Sequence, residues 1–126
     1  MKVEELIDII KWEGFKEALF YGLSECEELG KEFIGITLDN GDGIILRVNP
    51  YEYEILYILL YSNKKYSNND LRLIGIFKSE ENGNTYFIYQ ITNLRNFINM
   101  FGNDIKVIYV EVIRDALEDF LYTAMA

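Results

Sequence analysis

The chain has 126 residues, of which 50% are hydrophobic, and its formal net charge is −9. It contains one cysteine, Cys26, and no histidine, which excludes an intramolecular disulfide, histidine-based acid–base catalysis and the commonest zinc sites. The negative charge disfavours contact with nucleic-acid phosphates and with anionic lipid. The acidic start lacks a signal-peptide pattern, and no apolar run approaches the roughly 20 residues that span a bilayer. We therefore expect a single cytoplasmic, intracellular domain over residues 1–126, without cofactor or bound metal.

The first thirty residues show the spacing of two helices. Apolar residues recur every three or four positions on both sides of Gly14, which we expect to break the helical stretch. They are Val3, Leu6, Ile7 and Ile10 before it, and Phe15, Leu19, Leu23, Cys26 and Leu29 after it. Gly30 is typical of the residue that ends a helix.

From Glu32 onward the apolar period changes from about 3.6 to 2, which is typical of strands. Residues 34–38 and 44–48 both alternate in this way. Between them, Asn40-Gly41-Asp42-Gly43 supplies residues that tolerate positive φ, as a tight turn requires. These features predict a β-hairpin.

The segment from Pro50 to Tyr61 is predicted to be a helix. Asn49 suits its cap, Pro50 its first turn, and Glu52 the position that reaches back to the cap. The rest is apolar almost all round, so the helix needs cover on more than one side, either from the amino-terminal helices or from a second subunit. Tyrosine suits a half-wet interface, because the ring is buried while the hydroxyl keeps a polar partner. The candidate interface residues are Tyr53, Tyr57, Leu60 and Tyr61.

The second half of the chain contains the signals of a further hairpin, two helices and a strand. We predict a polar loop over 62–70, strands over 71–78 and 85–92, a helix after the cap Asn93, a strand over 105–113, and a last helix with its apolar face at Ala116, Leu117, Phe120 and Leu121. The strand over 105–113 is the richest in β-branched residues, which predicts a central position in the sheet. The order α-α-β-β-α-β-β-α-β-α predicts an α+β fold in which helices pack on a single mixed five-stranded sheet.

Three stretches resemble the bifunctional nuclease domain family. GDGIILRVNPYEYEILYILL is similar to that family's strand, proline-containing step and following helix, NTYFIYQI to its second hairpin strand, and IKVIYVEVIRDALED to its closing strand and helix. The resemblance covers about residues 33–121 and implies a nuclease. The family's histidine position is Asn69 here, and of that motif only Asp70 and Leu71 match. The succession of elements also resembles the small ring nucleases of archaeal viruses, without the histidine of their helix start at residues 48–52.

Three hypotheses about function follow from these observations. The leading one is a non-enzymatic protein that contacts itself, as a homodimer, or another protein, and that binds neither nucleic acid nor membrane. The second is a metal-dependent hydrolase of nucleic acids or nucleotides, with Asp39, Asp42 and Asp70 as ligands, because two-metal chemistry needs no histidine. The third is an acidic mimic of nucleic acid that blocks a basic protein, whose binding would weaken with salt.

Overall fold

The computed structural model describes residues 1–125, which form four helices and six strands. In chain order these are α1 (Val3–Ile9), α2 (Phe15–Leu29), β1 (Phe33–Leu38), β2 (Gly43–Asn49), β3 (Glu54–Ser62), β4 (Leu71–Lys78), β5 (Thr85–Ile91), α3 (Leu94–Phe101), β6 (Val107–Val112) and α4 (Asp115–Ala124). The strands form one sheet in the order β4-β5-β3-β2-β1-β6, and every neighbouring pair is antiparallel. Among these helices, none combines the length and the apolar character needed to cross a membrane.

The α+β class is confirmed, whereas the predicted sheet is wrong. The sheet has six strands rather than five, and it is antiparallel rather than mixed. The difference comes from the segment predicted as a helix over Pro50–Tyr61, most of which is strand β3 near the centre of the sheet. The helices on either side of this segment and the two β-hairpins lie where the sequence predicts them.

The polar signals before β3 belong to a turn and not to a helix start. The Asn49 side-chain oxygen accepts hydrogen bonds from the N–H groups of Tyr51 and Glu52, at 3.1 and 3.3 Å. The turn ends at Tyr53, whose φ of 51° reverses the chain into β3. Asparagine stabilises such turns with the same side-chain acceptor that it uses in a helix cap. The local sequence is therefore compatible with both a turn and a helix start. The packing of the following residues in the sheet favours the turn and strand β3.

Strand β3 is apolar on both sides because both faces of the sheet are covered. Ile58 and Leu60 point to the face that packs against α1, α2 and α3, which we call the three-helix face. Leu59 points to the opposite face, where it packs with residues of α4, and which we call the single-helix face. A strand buried on both faces loses the polar–apolar alternation by which strands are recognised. This is why the segment resembles a buried helix.

Candidate functional site

The sheet ends in two edge strands, β4 and β6. On the outer side of each, the backbone N–H and C=O groups have no neighbouring strand to pair with among residues 1–125. The Ile113 N–H donates to the Phe33 carbonyl oxygen at 2.9 Å. Hydrogen-bonded pairs alternate along an antiparallel ladder, so Glu111 also points its backbone groups towards β1. Val110 and Val112 therefore point theirs away from the sheet. Within residues 1–125, no backbone partner covers these two residues on that side.

The amino-terminal end of β6 is protected. The Val107 N–H donates to the Glu13 carbonyl oxygen at 2.9 Å, and Glu13 forms an isolated bridge with Lys106. The register then shifts at Ile108, whose side chain is 64% exposed. A bridge and a bulge are both ways in which natural edge strands avoid pairing. The edge that stays open is thus the short stretch from Tyr109 to Val112, which we call the β6 edge.

A recess of about 290 Å³ lies beside the β6 edge, between this strand and α2. Tyr21 and Glu25 of α2 line one side, Val110 and Val112 line the other, and Arg114, which follows β6, also belongs to the lining. The Tyr21 ring is 55% exposed. Glu25 lies on the helix side of the edge and Glu111 on the single-helix face, so carboxylates flank the edge on both sides. In the described part of the chain, neither carboxylate is within ion-pair distance of a lysine or arginine.

The β4 edge has the opposite character. The Thr92 N–H donates to the Asp70 carbonyl oxygen at 2.9 Å, so Arg72 points its backbone groups inward and Leu71 and Leu73 point theirs outward. Leu73 is 48% exposed and lies on the three-helix face, opposite Tyr89. The Arg72 guanidinium donates to the Gln90 side-chain oxygen at 2.6 Å. Arg72 and Lys78 are the exposed charged side chains of β4, and Leu73 and Ile76 are its exposed apolar ones, so this edge is basic and carries projecting apolar side chains.

A second concave region lies on the single-helix face, where α4 covers only part of the sheet. It is a cleft of about 350 Å³ between the first turn of α4 and the β4–β5 hairpin. Its floor includes Tyr61 and Tyr86, whose rings stack with centroids 4.2 Å apart. Burial raises the pKa of the Tyr61 hydroxyl well above its usual value, so this ring stays neutral over the ordinary pH range. Glu111 lines this cleft and also flanks the β6 edge.

An arginine surrounded by aromatic rings closes the other end of the single-helix face. The Arg47 guanidinium lies 5.1 to 5.7 Å from the ring centroids of Phe33, Tyr57 and Tyr122. Such contacts favour a cation over an aromatic face. The Tyr122 hydroxyl donates to a Glu32 carboxylate oxygen, and Glu32 also lies 3.5 Å from Arg47. Burial, followed by the hydrogen bond to Glu32, raises the pKa of Tyr122 to about 12.

The four predicted interface residues do not form one surface. Leu60 is fully buried in the core of the three-helix face, so it is not available to another chain. Tyr57 and Tyr61 are half-buried on the single-helix face, and Tyr53 is exposed in the turn before β3. Side chains alternate between the faces of a strand, so Leu60 points away from Tyr57 and Tyr61, which share a face because they are four residues apart. Of the four, Tyr61 lines the cleft.

The three carboxylates predicted as metal ligands do not converge, since Asp39 and Asp42 lie in the β1–β2 turn and Asp70 directly precedes β4. Asp42 is buried and accepts hydrogen bonds of 2.5 Å from the Ser62 and Tyr66 hydroxyls, which tie the loop after β3 to the β1–β2 turn. Asp39 accepts from the Lys106 N–H at 3.1 Å. No group of three metal-binding side chains converges among the described residues. The helix that the nuclease resemblance implies after Pro50 is not formed, and nuclease activity stays a prediction.

Comparisons with models of protein families, with curated proteins and with solved structures give no match for this chain. The candidate site therefore depends on geometry and charge alone. Sequence reasoning placed β6 near the centre of the sheet because of its β-branched residues, whereas it forms an edge. No local signal distinguishes the two positions, since strand order depends on how distant segments pair.

Proposed function

We propose that this protein acts by binding another polypeptide chain, and that it takes an extended, basic segment of that chain as a seventh strand at the β6 edge. The observation that carries the proposal is the pair of outward-facing backbone groups at Val110 and Val112, flanked by Glu25 and Glu111. Strand addition to a sheet edge is a common mode of peptide recognition, in which backbone hydrogen bonds supply affinity and side-chain recesses supply specificity.

The side chains around the β6 edge favour a basic segment. Alternate side chains of an added strand would point to opposite faces of the sheet. On one face they would meet Tyr21 and Glu25 in the recess, and on the other face Tyr109 and Glu111. Opposite charges and aromatic rings both stabilise a lysine or arginine in these positions. The net charge of −9 also speeds the approach of a basic partner.

The same charges disfavour a two-fold dimer in which two β6 edges pair with each other. A two-fold contact places the same patch of each copy against its equivalent. Glu25 and Glu111 of one copy would then approach the same two carboxylates of the other, and like charges across a strand pair are destabilising. A partner that differs from the β6 edge in charge is favoured for this reason.

Peptide binding provides the test. The probe is a synthetic peptide in which arginine alternates with valine, and the control is the same peptide with glutamate in place of arginine. We expect the arginine peptide to bind and the glutamate peptide not to bind, at protein concentrations at which the chain sediments as a monomer. Hydrogen exchange measured by NMR should slow at the Val110 and Val112 amides when the arginine peptide is added, because these amides become hydrogen-bonded.

Two proline variants locate the binding edge. Proline lacks an N–H and is tolerated on an edge strand where that group faces solvent. Val110→Pro should weaken binding of the arginine peptide at least tenfold, whereas Leu73→Pro on the opposite edge should leave it unchanged. Circular dichroism and thermal unfolding of both variants establish that they are folded. Equal binding of the arginine peptide to wild type and Val110→Pro, or no binding to wild type, contradicts the proposal.

A further inference from the structure

We infer that the strand received by the β6 edge is β4 of a second copy of this chain, so that copies join head to tail in one continuous sheet. The inference rests on the proposed function and names its partner. The β4 edge has the properties that the β6 edge requires of a partner, since it is an extended strand that carries both basic and exposed apolar side chains.

The register of the sheet brings opposite charges to its two ends. One row of directly paired residues crosses all six strands: Arg72, Gln90, Leu59, Ile45, Gly35 and Glu111. Arg72 stands at the β4 end of this row and Glu111 at the β6 end, and both point to the single-helix face. If the next copy continues the sheet without a shift of register, its Arg72 lies directly opposite Glu111.

Strand direction and backbone pairing agree with this arrangement. Five antiparallel pairings separate β4 from β6, so these two strands run in opposite directions. A copy added in the same orientation therefore presents β4 antiparallel to β6. The outward backbone groups of its Leu73 and Leu71 then pair with those of Val110 and Val112. Arg72 and Glu111 form the non-hydrogen-bonded pair between them, in which side chains approach most closely.

The apolar side chains also match across this contact. Leu73 projects from the three-helix face and is 48% exposed. Its partner position, Val110, borders the recess of about 290 Å³ beside α2. Leu73 of the added copy would enter that recess and cover Tyr21. Burying these two exposed side chains adds apolar contact to the backbone hydrogen bonds.

The two like-edge contacts lack this complementarity. Pairing of two β6 edges repeats Glu25 and Glu111, and pairing of two β4 edges brings Arg72 and Lys78 against the same residues of the other copy. Only the contact between the β6 edge of one copy and the β4 edge of another joins opposite charges. A contact between two different surfaces extends into a chain of copies, or closes into a ring if the rotation per copy permits.

Mixing two singly blocked variants tests the inference. Val110→Pro blocks the β6 edge and Leu73→Pro blocks the β4 edge, while each leaves the other edge intact. By sedimentation velocity, we expect the mass of the wild type to rise with concentration beyond that of a dimer. Each variant alone should remain a monomer, an equimolar mixture should form a dimer and nothing larger, and the variant with both substitutions should not join either partner.

Charge reversal supplies a second test that does not change the backbone. Arg72→Glu and Glu111→Arg are substitutions of exposed side chains, so both variants are expected to fold. Each alone should weaken association of full-length chains by about fivefold or more, which corresponds to the upper range of a cross-strand charge pair. Mixed together, the two singly substituted variants form two complementary contacts, one with the original Arg72–Glu111 pair and one with the pair reversed, whereas the double variant has the reversed pair at every contact. Both should associate more strongly than either single variant.

Three outcomes overturn the inference and separate it from the proposed function. A wild-type chain that stays monomeric at all concentrations, yet binds the arginine–valine peptide at the β6 edge, has a different protein as its partner. If the Leu73→Pro variant dimerises alone, its β4 edge is blocked and the contact must join two β6 edges, which contradicts the head-to-tail arrangement. Failure of both the peptide binding and the self-association removes the proposed function as well.

Discussion

The three-helix face and the single-helix face of the sheet carry similar apolar side chains but differ in how completely helices cover them. Three helices enclose the first face, and its core includes residues of α1, α2, α3 and the four inner strands. Among residues 1–125, only α4 crosses the second face, where the cleft beside Tyr61 and Glu111 stays open. Incomplete cover thus leaves a cleft over the single-helix face, whereas on the side of the three helices the recess lies at the β6 end of the sheet, beside α2.

Two adjacent leucines of β3 test this difference between the two faces. Leu59 and Leu60 are both fully buried but point to opposite faces. Leu60→Ala should lower the free energy of unfolding by about 4 kcal/mol, near the upper end for leucine truncation, because three packed helices cannot collapse around the cavity. Leu59→Ala should cost less, about 2 to 3 kcal/mol, because α4 can shift towards the cavity. Urea unfolding measures both, and an equal or larger loss for Leu59→Ala would contradict the comparison.

Two glycines mark where a helix approaches the sheet on each face. A Cβ at Gly22 of α2 would lie 2.6 Å from the Ile34 side chain, and one at Gly75 of β4 would lie 2.5 Å from the tip of the Phe120 ring. Gly22→Ala should destabilise the fold by about 1 to 2 kcal/mol, since overpacking outweighs the better helix propensity of alanine. Gly75→Ala should cost less than about 1 kcal/mol, because the half-buried Phe120 ring can turn aside.

Thermal and urea unfolding of the two glycine variants are compared with wild type under the same conditions. A Gly22→Ala protein as stable as wild type would mean that α2 is free to move away from β1. In that case, the three-helix face would be no more rigid than the single-helix face. A Gly75→Ala protein that loses more stability than Gly22→Ala would reverse the comparison.

Tyr122, at the Arg47 end of the single-helix face, should make the stability of the protein depend on pH. The pKa of Tyr122 is about 12 in the folded protein, against 10 for an ordinary tyrosine. A folded-state pKa above the unfolded value means that the contribution to stability is present below pH 10 and is lost as pH rises through about 12. Wild-type stability should therefore fall between pH 10 and 12, and Tyr122→Phe should show a shallower fall. Parallel pH profiles for the two proteins would contradict this role of Tyr122.

Local chemistry was sufficient for most of the elements. Asn93 caps α3 by accepting a hydrogen bond from the Asn96 N–H at 3.0 Å, and Gly30 ends α2 with a φ of 65°. The β1–β2 turn is stabilised by the Asn40 side chain, which accepts from the Asp42 N–H at 2.9 Å. In each case a side chain acts on backbone within a few residues, so the signal and the structure lie in the same stretch of sequence.

The segment from Pro50 to Tyr61, predicted to be a helix, could not be assigned from local signals. Asn49 and Pro50 are compatible with either a turn or a helix start, and an apolar run of this length suits either a buried strand or a buried helix. Tyr57 and Tyr61, four residues apart, share one face of the strand, whereas Leu60 points to the opposite face, and the interface itself stays a prediction. The candidate site at the β6 edge had no local signal. Its unpaired groups exist only because β1, and no other strand, pairs with β6.

Sequence patterns are sufficient to establish the α+β class, the two hairpins, the end of α2 at Gly30, the start of α3 at Asn93, and the acidic charge. Each of these depends on periodicity, on backbone preference or on charge, which act within a turn or two of the chain. Three features depend on tertiary contacts: residues 54–62 form a strand, β4 and β6 are the edges of the sheet, and Arg72 and Glu111 stand at the two ends of one row of paired residues. These features depend on which distant segments pair and on which faces the helices cover, because burial on both sides removes the alternation that local reading requires.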